Sequence, residues 1–150
     1  MDYQSTLPHR ILNRLFRCED LRACPTDAPY LYRWIIFKRP SGRACYIHHI
    51  VGPDWGRDPH DHPKTFVSIG LAGHYVEEVY FDPNQTVRSW QAPWFRIFGH
   101  DFVHRITEAD AWTLIFTGRE MFNWGFWLRK VGQVTWVRHD VYIAGVTKDC

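Results

Sequence analysis

Two histidines stand two positions apart in the segment Gly56–Tyr80, at His60 and His62, with Pro59 and Pro63 beside them. Alternate side chains of an extended chain project to the same side, so both imidazoles could approach one metal ion at about 2 Å. The flanking prolines stiffen the chain around the pair. Because such a pair also arises by chance in polar loops, it predicts a metal site only if the chain supplies another ligand.

His104 is the candidate for the third ligand. It lies in the segment GHDFVHRI, where Phe102 and Ile106 would share its face of a strand. These apolar neighbours predict that His104 points toward the interior. His74 and His100 lie in turns beside glycines and are expected to face solvent.

Tyr75 and Glu77 are the candidate catalytic residues. They stand two apart after Gly73, so they share one side of the predicted strand. If that side is the interior, Glu77 is a fourth ligand or a general base and Tyr75 is a hydrogen-bond donor. Burial would raise the pKa of Glu77 unless the carboxylate is paired. The alternative is that Glu77 lies at a solvated hairpin edge.

Three further residues are candidates for the surroundings of the metal or for substrate contact. His48 and His49 must face opposite sides of their strand, and the apolar neighbours of His49 predict that His49 faces inward. Arg96 is a candidate for binding a substrate carboxylate or phosphate. Trp112 is a candidate lining residue at the mouth of a small-molecule pocket.

The elements that must position these residues are mostly strands. An amphipathic helix is predicted over Pro8–Cys18, with one apolar stripe formed by Ile11, Leu12, Leu15 and Phe16. Beyond it, short β-branched and aromatic runs alternate with turn signals, which is typical of a β-sandwich or barrel. The predicted strands are Tyr30–Arg39, Arg43–Val51, Thr65–Leu71, His74–Phe81, Val87–Trp90, Trp94–Phe98, His104–Ile106, Ala111–Thr117, Trp124–Arg129 and Val134–Arg138.

The segments HDHPKTFVSIGLAGHY and HRI resemble the two metal-binding motifs of the cupin superfamily. His60 and His62 match the paired histidines of the first motif, Gly73 matches its closing glycine, and His104 matches the histidine of the second. Together with YLYRWIIFK, CYIHHIVGPD, AWTLIFTGRE and WGFW, they make the chain similar to a group of small bacterial and phage cupins whose reactions are largely unassigned. The resemblance implies an all-β, cupin-type antiparallel barrel, jelly-roll-like, with two packed sheets.

The sequence departs from the cupin pattern where the family has a ligating glutamate, because Phe66 stands there. The glycine that opens the first motif is displaced to Gly56, and the proline and glycine of the second motif are not cleanly present. The pair His104–Arg105 resembles the thiol dioxygenases of the superfamily, in which three histidines hold Fe(II) for substrate and dioxygen. This resemblance implies an Fe(II) site with three neutral imidazoles, a set that favours an anionic donor from the substrate.

The leading functional hypothesis is therefore an Fe(II) oxygenase or dioxygenase acting on a small polar molecule. One alternative is a metal-assisted isomerase or lyase, with Zn, Mn or Ni as Lewis acid and Glu77 as base. Another is a non-catalytic cupin that binds a small ligand. The complete set of three histidines favours metal chemistry over simple binding.

Length and charge limit the organisation and the partners. At 150 residues the chain is predicted to be one domain, with an N-terminal helix and arm over 1–29 and the barrel over 30–145. The net charge of +2 comes from scattered residues, which argues against a nucleic-acid partner. Aromatic strands that look exposed predict a homodimer.

Targeting signals and cysteine usage predict a cytoplasmic protein. The N-terminus has no apolar segment typical of a signal peptide, and no apolar run is long enough to span a membrane. The cysteines contain no C-x-x-C pair and are expected to be reduced thiols. They are Cys18, Cys24, Cys45 and Cys150.

Overall fold

The computed structural model of the chain describes residues 3–22, 27–56, 58–80, 85–130 and 133–146. Cys18 and Cys45 are free thiols, whereas Cys24 and Cys150 lie outside the described residues. In this part of the chain, no helix is both long and apolar enough to cross a membrane.

Within these ranges, two helices enclose a run of nine strands. A 3-10 turn at Tyr3–Ser5 precedes helix α1, Leu7–Leu15, and helix α2 spans His139–Val146. The strands between them are β1 (Arg17–Leu21), β2 (Leu31–Lys38), β3 (Ala44–Ile50), β4 (Phe66–Val79), β5 (Thr86–Gln91), β6 (Trp94–Phe98), β7 (His104–Thr117), β8 (Gly125–Lys130) and β9 (Gln133–Arg138).

The strands form two antiparallel sheets. Seven of the described strands make the larger sheet, in the order β1-β2-β3-β7-β4-β5. Strand β6 pairs with the first residues of β4, on the edge opposite to β7. Strands β8 and β9 form a separate hairpin. This mostly β architecture with a short N-terminal helix confirms the predicted fold class.

The two longest strands each replace two predicted strands. The segments LAG and EAD lie at the junctions between strands that were predicted to be separate, Thr65–Leu71 and His74–Phe81 in one case and His104–Ile106 and Ala111–Thr117 in the other. In the structure, β4 and β7 run through them as paired strands of 14 residues. The pairing absorbs the bend through register shifts at Gly70/Ala72 and Val76/Glu77, since a bulge bends a strand without ending it. Gly73 has φ +78°, and a Cβ there would lie 1.9 Å from the carbonyl oxygen of Asp110. Glycine is therefore needed at this bend.

Helix α1 is shorter than predicted and packs through a different face. It ends at Leu15 rather than Cys18, because the chain becomes extended at Phe16 and then pairs as β1 with β2. The buried residue of α1 is His9, which is 1% exposed, whereas Leu7, Ile11 and Leu15 are exposed. The apolar stripe is thus not the packing face, since the sheet surface beneath α1 offers aromatic rings and a hydrogen-bond partner to His9.

Helix α2 follows β9 directly and was not predicted. Its Tyr142 stacks on Phe126 of β8 with ring centroids 3.9 Å apart, and the Tyr142 hydroxyl donates to Asp58 at 2.9 Å. The C-terminal helix therefore packs against the hairpin and reaches the loop that carries His60 and His62.

Candidate metal centre

The loop before β4 brings His60 and His62 to the beginning of β7, where His104 lies. The backbone N–H of His60 donates to the His104 carbonyl at 2.9 Å, and the N–H of His104 donates back to the His60 carbonyl at 3.1 Å. One potential ligand atom from each of the three histidines lies within 4.8 Å of the other two. Three imidazoles that are separate in sequence thus converge.

The spacing of the ring nitrogens fits a divalent transition metal. The Nε2 atoms of His62 and His104 lie 3.1 Å apart. Two nitrogen ligands at about 2.1 Å from a metal, and roughly 90–110° apart, lie about 3.0–3.4 Å from each other. The pair is therefore at the separation expected of neighbouring ligands in a tetrahedral or octahedral site.

Asp61, between the paired histidines, fastens their loop to the β8–β9 hairpin. One oxygen of its carboxylate accepts from the Gly125 backbone N–H at 2.7 Å. The other accepts from the indole N–H groups of Trp127 at 3.1 Å and Trp136 at 2.9 Å. Because alternate residues face opposite sides, this anchoring on one side fixes both imidazoles on the other.

Glu77 holds the ring of His104 from behind. Its Oε2 lies 2.8 Å from Nδ1 of His104, and its Oε1 accepts from the Trp90 indole at 2.9 Å and lies 2.8 Å from Nη1 of Arg96. The Glu77 side chain is 0% exposed. A carboxylate acceptor keeps the proton on Nδ1, so a neutral His104 ring presents the Nε2 lone pair to the cluster.

Hydrogen bonds keep Glu77 ionised despite its burial. Desolvation alone would raise its pKa, but the hydrogen bond with His104, followed by the charge of Arg96 and the hydrogen bond from Trp90, brings the pKa below its ordinary value. Glu77 does face the interior, and it stands behind His104 rather than in the cavity wall that the described residues form.

Burial keeps the paired histidines neutral. It lowers the pKa of His60 to about 4, a change that the nearby Asp54 carboxylate partly opposes. Burial, reinforced by His104 and His60, lowers the pKa of His62 well below its ordinary value. Neutral imidazoles carry the lone pairs that a metal needs, so these two rings are ready to bind at pH 7.

The three histidines line a cavity of about 450 Å³. Phe66, which occupies the place of the cupin glutamate, packs its ring 4.9 Å from His62 and stacks on Phe98. Tyr75 also lines the cavity, as its predicted inward orientation requires. The wall is therefore largely aromatic near the histidines, as is common for small-molecule sites.

Arg96 does not line the cavity, contrary to its predicted role as a substrate clamp. Its guanidinium pairs with Glu77, donates to the Tyr75 hydroxyl and lies 4.0 Å from the Trp90 ring centroid. The Arg96 guanidinium is therefore already engaged and is not available to a substrate. Strand β6 places it beside Glu77, the only buried carboxylate among the described residues.

His49 and Trp112 lie on the opposite face of the sheet from the cavity. His49 is buried there rather than beside the three histidines, and Trp112 does not line the cavity, in contrast to its predicted place at the pocket mouth. His49 stacks on Trp112 with centroids 4.1 Å apart, and its Nδ1 lies 2.8 Å from Nε2 of His9 in α1. Both faces of this sheet are covered, one by the cavity walls and the other by α1. The apolar neighbours of His49 in the sequence therefore could not predict which face of the sheet borders the cavity.

Sequence reasoning missed several polar residues of the cavity wall. Arg33, His48 and Thr113 lie on β2, β3 and β7, and Asp54 and Lys64 lie on the loops around the paired histidines. The alternation of β3 already grouped His48 with Tyr46, which also lines the cavity. The position of Arg33 depends on strand pairing, which local patterns do not specify.

The fold is similar to those of several solved structures. The structure of HppE in its Fe(II) form has a TM-score of 0.53 and 10% identity over 69% of this chain and 56% of that chain. Hydroxypropylphosphonic acid epoxidase from S. wedmorenis gives 0.49 and 12%, covering 68% and 55%. KdgF from Halomonas sp. gives 0.48 and 18%, covering 71% and 92%.

The likeness to HppE supports a cupin-type fold for this chain and no more. The chain spans little more than half the length of HppE, at 56% of that chain. No protein-family model matches the sequence, and no curated protein matches it.

Proposed function

We propose that this protein is a metal-dependent cupin enzyme, and that it uses Fe(II) to oxygenate a small polar molecule. The observation that carries the proposal is the convergence of His60, His62 and His104, with ligand atoms within 4.8 Å of one another, on a cavity of about 450 Å³. Imidazole nitrogen suits iron, zinc, copper and nickel better than the hard cations Mg²⁺ and Ca²⁺. The metal is thus expected to be a transition metal.

The three-histidine set favours iron chemistry that keeps coordination positions open. Phe66 supplies no carboxylate where the cupin motif has one, and Glu77 is engaged behind His104. Ferrous iron held by three neutral nitrogens would supply redox capacity and open positions for substrate and dioxygen. The fold likeness to HppE, a protein solved with Fe(II), is compatible with this choice.

The residues of the chain have distinct roles in this proposal. His60, His62 and His104 hold the metal, while Glu77 fixes the proton on Nδ1 of His104 and so directs its Nε2 forward. Phe66 and Phe98 exclude water beside His62. The Tyr75 hydroxyl accepts from Arg96, which leaves its own proton available to a substrate in the cavity.

Isomerase or lyase chemistry with Glu77 as the base receives less support. A general base must reach the proton that it removes, but both Glu77 oxygens are engaged and the side chain is 0% exposed. Its lowered pKa makes it a weaker base still.

Oxygen consumption tests the proposed reaction class. Protein loaded anaerobically with Fe(II) would be mixed with oxygenated buffer and a panel of small thiols and carboxylic acids. We expect oxygen uptake coupled to loss of one panel member, and loss of that uptake in His62→Ala. His74→Ala, which removes a half-exposed histidine, is the matched control. An iron-loaded protein that consumes no oxygen with any member would contradict the oxygenase proposal.

A further inference from the structure

We propose that one wall of the cavity recognises an oxyanion through Arg33, His48 and Thr113, so that the substrate is a small organic acid. Its carboxylate, phosphonate or sulfonate would be held at this wall, while another part of the molecule faces the three histidines. The inference rests on the proposed function, because it names the substrate class of the same cavity.

The three residues form one row across the larger sheet. Arg33 on β2 pairs with His48 on β3, and His48 pairs with Thr113 on β7. Directly paired residues in antiparallel strands lie about 4.5–5.5 Å apart and project to the same face. All three line the cavity, so their polar groups form a continuous strip of its wall.

Arg33 supplies a cation without a carboxylate partner. Its Nε donates to Nε2 of His48 at 3.2 Å, and its guanidinium carbon lies 5.1 Å from the Tyr46 ring centroid. Within the described residues, no acidic side chain forms an ion pair with Arg33, in contrast to Arg96, which Glu77 engages at 2.8 Å. The two terminal nitrogens of Arg33 form a planar fork that matches two oxygens of an oxyanion.

His48 adds a second donor beside this fork. Because its Nε2 accepts from Arg33, a neutral ring carries its proton on Nδ1. Burial, together with the charge of Arg33, lowers the pKa of His48 well below its ordinary value, so the ring is neutral at pH 7. The described residues provide no hydrogen-bond partner for Nδ1, which leaves this donor for a ligand.

Thr113 supplies an independent sign of a missing ligand atom. Its side chain is 1% exposed, and its Oγ1 has no hydrogen-bond partner among the described residues. Buried hydroxyl groups are nearly always hydrogen-bonded, because an unsatisfied one costs free energy. An oxygen of a bound acid at the Arg33 fork would be a neighbouring acceptor for this hydroxyl.

The charged side chains of the wall favour an anionic organic ligand over a cationic one. Asp54 is the one carboxylate among the described residues that line the cavity, whereas Arg33 and Lys64 are both cations. Lys64 donates to the Gly42 carbonyl at 2.9 Å and lies 3.8 Å from Glu120, so its charge is only loosely balanced. The cavity therefore attracts anions.

Binding of matched probes tests the inference on chelator-treated protein, which separates it from metal binding. The probes are butyrate, propylphosphonate and propanesulfonate, with butyramide as the neutral equivalent of butyrate. Calorimetry should show at least one anion binding about tenfold or more tightly than butyramide. The tightest of the three identifies the oxyanion.

Two substitutions locate the binding. Arg33→Gln should lower the affinity for the anion by about tenfold or more. Arg39→Gln is the control, since it removes an exposed arginine beyond the end of β2, and it should leave the anion affinity unchanged. If Arg33→Gln does not fold, Arg33→Lys keeps the charge but loses the fork, and it should still weaken binding several-fold. Equal binding of butyramide, absence of anion binding, or equal affinity in the Arg33 and Arg39 variants would overturn the inference.

Thr113→Val gives a signature that a structural role would not produce. It removes an unsatisfied hydroxyl while keeping the shape, so the melting temperature should stay the same or rise while the anion binds several-fold more weakly. A lower melting temperature with unchanged anion affinity would contradict the role of Thr113.

The inference and the proposed function can fail separately. A protein that binds the anion but takes up no metal would support the oxyanion site and refute the proposed function. A protein that takes up metal but binds no anion would support the metal site and refute the oxyanion site.

Discussion

Among the described residues, two buried histidines each contact a carboxylate, and their surroundings differ. His104 lies 2.8 Å from Glu77, and His49 lies 2.9 Å from Asp110. Nε2 of His104 lies 3.1 Å from Nε2 of His62 at the cavity wall. Nδ1 of His49 instead lies 2.8 Å from Nε2 of His9 beneath α1. A histidine–carboxylate contact thus does not define a functional site by itself.

The two pairs also differ in how the carboxylate is held. Glu77 is 0% exposed and is engaged by Trp90 and Arg96, whereas the Asp110 side chain is 58% exposed. A fully buried carboxylate needs such partners and fixes the ring it touches, while an exposed one is screened by water. We therefore expect the Glu77 pair to control metal affinity and the Asp110 pair to contribute modestly to stability.

Removing the charge of Glu77 should have the largest effect. Glu77→Gln leaves Arg96 as a buried cation without its partner, which should lower the free energy of unfolding by about 3–5 kcal/mol. It should also lower metal affinity by about 10–100-fold, because the His104 ring loses its anionic support. Denaturant unfolding and metal titration measure the two effects. Unchanged metal affinity would place Glu77 outside the metal site.

Removing His9 should affect stability only. His9→Ala deletes a buried ring that packs against Trp34 at 4.7 Å and contacts His49, and it should cost about 2–3 kcal/mol. The metal content should equal that of the parent, because α1 covers the opposite face of the sheet from the cavity. A loss of metal in this variant would show that the two pairs are coupled.

Acidification should destabilise the metal-free protein through the cavity histidines. The pKa of His60 is about 4 when folded and near its ordinary 6.5 when unfolded. Between these values the unfolded chain binds more protons, so stability rises as pH increases from 4 to 6.5. At pH 5, protonation of the unfolded His60 should cost the folded state about 2 kcal/mol relative to pH 7. Chemical unfolding in chelator at both pH values, with His60→Gln as the comparison, measures this term, and an equal pH dependence in both proteins would refute it.

Changing Asp110 should have the smallest effect. Because the Asp110 side chain is 58% exposed, Asp110→Asn should lower stability by no more than about 1 kcal/mol and leave metal affinity unchanged. Thermal unfolding alongside metal titration provides the check. A loss as large as that of Glu77→Gln would remove the distinction between the two pairs.

Local patterns in the sequence were sufficient to predict the fold class and to single out the three histidines that converge in the structure. Alternation placed Phe102 and Ile106 on the face of His104, and in the structure Phe102 packs 5.2 Å from that ring while Ile106 lines the cavity. The same alternation turned Tyr75 and Glu77 inward together. These properties depend on neighbours within a few residues.

The contacts that distinguish the two histidine pairs could not be predicted, because they depend on which strands pair and on what covers each face. Arg33 reaches His48 only through the pairing of β2 with β3, and Glu77 reaches His104 only through a register shift in β4 and β7. His49 was assigned to the interior because its neighbours are apolar, but α1 buries that face as well. Local periodicity gives a side chain its face, and tertiary packing decides which face is the cavity.

The proposed metal centre requires that His60, His62 and His104 together hold one transition metal ion. Elemental analysis after anaerobic loading with Fe(II) and desalting tests it most directly. We expect close to one iron per chain in the parent and in the control His74→Ala, and far less in His60→Ala, His62→Ala and His104→Ala. A parent without iron, or single-alanine variants that retain as much iron as the parent, would contradict it.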